Sequence, residues 1–286
     1  MDEDHRINGL PTRPLGGTGL RVTVLGVGGF HVGEPAPEEG IRIIRTAIDE
    51  GVNFLDNAWC YHDGESERLM GRALRDGYRD RVVLMTKNHG RDADSFRRQL
   101  DQSLQRLGTD CIDILQFHDI SQPDEPDRLF DGGAVDAAVE ARRAGKIRFI
   151  GFTGHRLPAV HRLMLDKDFP WDTVQCPVSV LDAHFHSFQR GVLPVLRERG
   201  IGAIGMKSLS SGRVLQTGIG AGEAIAYALS QDIATLVSGM ESVDDLARNL
   251  ATVRAWAPMA AVDQQALLAR SAPYARDGRL ERHKTA

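Results

Sequence analysis

The stretch NFLDNAWCYHDGESERLMGRAL, residues 53–74, passes from strand to polar loop to helix within one short unit. Asn53, Phe54 and Leu55 open it as a buried strand would, and Asp56 stands at the strand's end. Tyr61 follows in the loop, and Leu69, Met70, Ala73 and Leu74 then fall at helical spacing. A carboxylate at the end of a core strand, with a phenol just beyond it, is either a capped turn or half of a proton-transfer site.

The same unit recurs along the chain. Short apolar runs occupy 24–29, 53–58, 82–87, 112–118, 147–154, 173–179, 202–208 and 234–239. Most are nearly continuous in apolar character, as parallel strands covered on both faces are. Amphipathic segments lie between them. Those over 37–51 and 94–108 end on glycines suited to a C-cap, 133–146 and 187–200 continue the pattern, and 242–256 follows the last strand with Ser242 as its N-cap. Eight strands alternating with helices predict a closed (β/α)8 TIM barrel, with an open doubly wound sheet as the other solution. Even spacing without a break in composition predicts one domain over 1–286. At the start, RPLGGTGLRVTVLGVGGF reads as a short hairpin around a glycine turn. A C-terminal tail over 257–286 holds one helical stretch, and the ends 1–12 and 275–286 read as flexible. The segment LSSGRVLQTGIGAGEAIA after the seventh strand reads as a long glycine-rich loop.

Composition narrows the function. The chain has 286 residues, 42% of them hydrophobic and 26% charged, with a formal net charge of −4. Basic and acidic residues are interspersed, so neither a nucleic-acid groove nor a polybasic membrane patch is expected. Cys60, Cys111 and Cys176 form no CxxC pair, which argues against a disulfide framework or structural zinc. The polar start and the lack of a long apolar run lead to the expectation of a cytoplasmic protein. GIGAGE, residues 218–223, lacks the preceding strand that a phosphate loop requires. Neither Cys60 with His62 and Asp63, nor the His-x-His of AHFHSF, is enough to predict a metal.

Active sites of such barrels form at the C-terminal ends of the strands. Asp56 ends the second strand, Lys87 the third and His118 the fourth, with Tyr61 over the same mouth. Thr153, Gly154 and His155 end the fifth, Gln175 lies on the sixth, Met206 and Lys207 end the seventh, and Ser238 and Gly239 end the eighth. A tyrosine, with an ordinary pKa of about 10, is a weak acid, and a neighbouring cation lowers that value. Lys87 is placed to be that cation, Asp56 to orient it, and His118 to orient a carbonyl oxygen. None of them donates hydride, so a cofactor must bring it.

These residues, with LGGTGLRVTVLGVGGF, VVLMTK, SLQRLGTDCIDILQFHD, AGKIRFIGFTGH and VSGMESVDDLARNL in that order, give the chain a resemblance to the aldo-keto reductases. The resemblance implies a (β/α)8 barrel, a bound NAD(P)H and reduction of aldehydes or ketones, or oxidation of alcohols or sugars. It implies Tyr61 as acid/base with Asp56, Lys87 and His118. It also implies that Thr153 and Gln175 hold the nicotinamide amide and that Lys207, Ser208, Leu209, Gly212 and Arg213 follow the pyrophosphate. Ser238, Gly239, Met240, Asp245, Arg248 and Asn249 would hold the adenosine end. Met206 stands where many relatives stack a tyrosine on the nicotinamide, and Thr153-Gly154 where many have Ser-Asn. Gly239 and Asp245 replace the basic residues of NADP-preferring relatives, and a carboxylate there tips the balance toward NAD(H), with Arg248 placed to offset it. Phe30, His31, Trp59, Cys60 and His62 are expected to wall the substrate pocket. A cofactor-sensing binding protein on the same barrel is the alternative function.

Overall fold

Residue pairing between neighbouring apolar runs closes the sheet. The computed structural model describes residues 5–285. Eight parallel strands form the closed barrel: β4 (Leu25–Gly28), β5 (Phe54–Asp56), β6 (Val83–Asn88), β7 (Ile112–Phe117), β8 (Ile147–Thr153), β9 (Thr173–Pro177), β10 (Gly202–Met206) and β11 (Thr235–Ser238). They pair in chain order, and β11 returns to β4 to complete the ring. Before them, β1 (Arg6–Ile7), β2 (Leu10–Pro14) and β3 (Arg21–Thr23) make an antiparallel sheet, the expected hairpin with one extra short strand.

The hairpin plugs the barrel. Leu15 and Val22 cluster with Phe54, Met85, Ile114 and Ile204, all buried. Gly16, with φ +53°, lies so close to the 200–202 backbone that an added Cβ would sit 2.3 Å from the Gly202 nitrogen. With the end where the strands begin sealed, the C-terminal mouth is left for chemistry.

Around the strands lie α1 (Gly29–Val32), α2 (Pro37–Asp49), α3 (Glu65–Ala73), α4 (Ala93–Leu107), α5 (Glu125–Asp131), α6 (Ala134–Arg143), α7 (Pro158–Leu165), α8 (Phe188–Gly191), α9 (Leu193–Arg199), α10 (Ala221–Leu229), α11 (Val243–Ala255), α12 (Ala261–Ser271) and α13 (Arg282–Thr285). Their ends follow the sequence signals. Asp92 and Ser95 form a reciprocal cap at the start of α4, and Gly108 ends it in the left-handed conformation. Ser242 accepts from the Asp245 N–H at the start of α11. Among the described residues no helix is long and apolar enough to cross a membrane.

Three segments differ from the sequence reading. The helix expected over 187–200 breaks at Val192, because Pro194 has no N–H and restricts the residue before it. The glycine-rich link is only partly loop: Gly220 caps α10, with its N–H donating to Glu223 Oε2 at 2.8 Å. The ends expected to be flexible carry buried side chains. Leu10 and Thr12 are buried near the start, while residues 1–4 and 286 lie outside the described residues. Near the finish Lys284 donates to Asp182 Oδ1 at 2.6 Å and to the Phe185 carbonyl at 2.7 Å, and its Nζ lies 3.0 Å from Glu281. All three charged side chains are shielded from solvent, and burial pushes the Glu281 carboxyl up to about 7.

Removing one partner of a buried charge cluster leaves the others unpaired, at a cost of about 3–5 kcal/mol. Lys284→Ala is therefore expected to lower the Tm by roughly 5–10 °C, measured by circular dichroism or calorimetry.

Candidate active site

The strand ends define what can meet at the mouth. Asp56 is the last residue of β5, Lys87 the penultimate residue of β6, and His118 follows β7 directly. Register holds them side by side, since Asp56 pairs with Met85, and Lys87 with Gln116. Tyr61 begins a tight turn in which His62 and Asp63 both take positive φ, 50° and 54°. Left-handed backbone costs such residues about 1–2 kcal/mol each. His62 offsets part of this by donating from Nε2 to the Phe30 carbonyl at 2.8 Å.

Lys87 is fully buried and donates to the Asp56 carboxylate, to the Asn57 carbonyl at 2.8 Å and to Tyr61 Oη at 3.4 Å. Burial pulls its ammonium pKa down, but Asp56 and Tyr61 outweigh that and raise it, so Lys87 stays charged. Gln175 donates to the other oxygen of Asp56 at 3.1 Å. The Tyr61 ring is partly open to the cleft, while its hydroxyl is desolvated against Lys87. The sequence suggests a lowered phenol pKa. Lys87 does act in that direction, but burial dominates and Asp56 adds to it, pushing Tyr61 up to about 12. Burial, and then the Lys87 charge, hold His118 far below its usual range, so it is neutral.

A cleft of about 760 Å³ opens over this group. Asp56, Tyr61 and His118 lie on its floor; Phe30, His31, Met206, Lys207, Ser208, Leu209, Gly212, Ser238, Gly239 and Asp245 form its walls. Other expected residues stand behind those walls. Thr153 and Gln175 are buried at matching positions of β8 and β9. Asn249 donates to Ser238 Oγ at 3.2 Å, Arg248 reaches Asp245 at 2.5 Å, Met240 packs in the core, and Arg213 starts the turn after the cleft-lining loop. Trp59, Cys60 and His62 are not on the cleft wall. The Trp59 N–H finds Gln102 Oε1 on α4 at 2.7 Å, which turns the indole outward beneath the Arg106 guanidinium. Cys60 faces His89, and His62 is committed to Phe30.

The cleft also takes in His155, read from the sequence at the end of the fifth strand, and His89, Asp119 and Glu241, which strand-end reading missed because they sit one or more residues past the strand ends. The pairing of a strand end with a following His or Asp, in NHG and FHD, was the available signal for His89 and Asp119.

Family comparison now has a geometry to meet. The family model described as "Aldo/keto reductase family" matches residues 24–223. The chain belongs to the aldo/keto reductase family. It is 32% identical over 221 residues to L-galactose dehydrogenase of Arabidopsis thaliana, covering 72% of this chain and 67% of that one. It is 28% identical over 240 residues to 6-dehydroglucose reductase of Novosphingobium aromaticivorans, covering 76% and 75%. In fold it matches the holo form of aldo-keto reductase AKR11C1 from Bacillus halodurans, with a TM-score of 0.78 at 23% identity over 91% of this chain and 96% of that one.

Aldo/keto reductases use nicotinamide cofactors, and the residues here fit one. Among the described residues, Thr153 Oγ1 and Gln175 Oε1 are buried polar atoms without a hydrogen-bond partner. Such atoms are costly unless something pairs with them, and a carboxamide offers both donors and an acceptor. The loop after β10 adds a cradle. Lys207, Ser210, Ser211 and Gly212 take positive φ there. Among the described residues, the N–H groups of Ser208, Leu209, Ser211 and Gly212 find no acceptor in the protein.

Losing one such pairing costs about 1 kcal/mol. Gln175→Leu, which keeps the volume, is expected to raise the dissociation constant for the nicotinamide nucleotide by roughly five- to tenfold, read by fluorescence titration.

Proposed function

We propose that this chain moves hydride between a nicotinamide nucleotide and a carbonyl or alcohol carbon, with Tyr61 as the proton donor and acceptor. The observation that carries the reading is the contact of Tyr61 Oη with the buried Lys87–Asp56 pair on a cleft floor shared with His118.

The bound nucleotide supplies the hydride. Every other task falls to the chain. Gln175 and Thr153 hold the carboxamide through their unpartnered oxygens, and Met206 packs its thioether on the ring face. The loop from Lys207 through Ser208, Leu209 and Gly212 to Arg213 would follow the pyrophosphate, and Ser238 and Gly239 would line the adenosine end, with Met240 and Asn249 packed behind them. Neutral His118 donates an N–H to the substrate oxygen and orients it. Tyr61 then gives its proton to that oxygen, and Lys87 stabilises the phenolate that remains. A phenol held near 12 keeps its proton at neutral pH, which suits reduction. For the substrate, His89, Asp119 and His155 give the mouth hydrogen-bonding groups suited to a hydroxylated molecule. The names of two relatives, L-galactose dehydrogenase and 6-dehydroglucose reductase, point the same way.

For the nucleotide, NAD(H) is favoured. Asp245 and Glu241 both line the cleft, and Arg248 is already paired with Asp245. Two carboxylates repel a 2′-phosphate, while a free 2′-hydroxyl can donate to one.

Tyr61→Phe is expected to lower turnover of a sugar, aldehyde and ketone panel by at least about 100-fold. Nucleotide affinity should stay within about twofold; unchanged turnover would overturn the assignment. Parallel titrations should show NADH binding at least about tenfold more tightly than NADPH, with the gap closing in Asp245→Ser. Tighter NADPH binding by the unaltered protein would reverse the coenzyme reading.

A further inference from the structure

In sequence Cys60 has His62 and Asp63 beside it, which are not enough to predict a metal. Folding gives it other neighbours. The loop after β5 brings Cys60 Sγ to 3.0 Å from His89 Nε2, at the end of β6, and to 3.9 Å from His118 Nδ1, at the end of β7. Ligand atoms of all three residues lie within 4.8 Å of one another.

We propose that Cys60, His89 and His118 form a site for a thiophilic divalent cation such as zinc, and that its occupancy shuts the active site. Zinc bonds thiolate at about 2.3 Å and imidazole at about 2.0 Å, so a tetrahedral centre sets sulfur–nitrogen edges of roughly 3.5 Å. The two observed separations bracket that value, and small side-chain rotations close the difference. One sulfur and two imidazoles are a donor set zinc takes, and three protein ligands leave a fourth position open. His89 and His118 both line the cleft, so a cation can reach the site from it.

The ligands are held from behind. A single guanidinium, that of Arg91, donates to the carbonyls of His89 at 3.2 Å and His118 at 2.8 Å. Glu125 fixes Arg91 through Nε at 3.0 Å and Nη2 at 2.6 Å. The His89 N–H donates to Gln99 Oε1 at 2.7 Å. Both histidine backbones are thus set relative to one another before any cation arrives, as outer partners do in metal sites. Burial pushes the Cys60 thiol up, with the Lys87 ammonium acting against it and the Glu67 and Asp119 carboxylates adding to it, so the cation must displace the thiol proton. On binding, sulfur gives its proton to water and its lone pair to the cation; no oxidant is involved.

The consequence rests on the proposed role of His118. A cation bound to His118 Nδ1 ties this imidazole to Cys60 and His89, so the ring that would orient the substrate oxygen is no longer free to follow it. The site is therefore inhibitory.

The test uses the full chain and a coloured probe. Titration with Co²⁺ should give one equivalent bound, with thiolate-to-cobalt charge-transfer absorption in the near ultraviolet, and Zn²⁺ should bleach it by displacement. Cys60→Ser should abolish the charge-transfer band, and His89→Gln should weaken binding at least tenfold. Absence of the band from the unaltered chain, or its survival in Cys60→Ser, would overturn the site. If Cys60→Ser does not fold, unchanged Co²⁺ affinity in His89→Gln would overturn it instead. Stoichiometric Zn²⁺ should lower turnover at least tenfold, and a chelator should restore it; a loaded protein turning over at full rate would overturn the inhibitory role. A chain with no turnover under any condition would contradict the oxidoreductase reading alone, because the absorption change needs no reaction.

Discussion

The Lys87–Asp56 pair is the constraint around which the barrel mouth is arranged. Two opposite charges taken out of water are tolerated only when their remaining donors and lone pairs are satisfied. The structure meets that demand locally. The Asn57 carbonyl and Tyr61 Oη take the other Lys87 protons, and Gln175 takes the second Asp56 oxygen. Each of these partners is then fixed in place by the pair. An apolar pair of the same volume would fill the space but leave Tyr61 without a cation and Gln175 without an acceptor. The arrangement is one in which chemistry sets the packing.

Much of the architecture could be read from the chain because parallel strands covered on both faces leave an apolar run that few other elements mimic. All eight barrel strands lie where those runs are. Helices were harder. Pro194 interrupts a segment whose apolar periodicity continues across it, so α8 and α9 read as one helix. In α10 the glycines at 218, 220 and 222 hide a helix whose stability comes from buried Ala224, Ile225, Tyr227 and Ala228, a tertiary contribution that propensity does not register.

The candidate site divides along the same line. Asp56, Lys87 and His118 could be placed because strand ends converge by topology, whatever the side chains do. Trp59, Cys60 and His62 could not, because a loop's side chains go where partners exist. Gln102, His89 and Phe30 are those partners, and they are far away in sequence. The acidity of Tyr61 failed for a related reason. Sequence shows which charges are near but not how much water is missing, and desolvation dominates here.

Asp182 and Lys284 meet across 102 residues. A ribosome adds roughly 5–20 residues per second, so Asp182 emerges about 5–20 s before its partner exists. In that interval the loop after β9 holds its carboxylate with Phe188 N–H, Gln189 N–H and the Gln189 side chain, all local in sequence. In the folded chain α13 therefore meets an acceptor that is also oriented by its own neighbours. Lys284 is thus the last member of this buried cluster to be made, and its binding place is built by residues close to Asp182 in sequence.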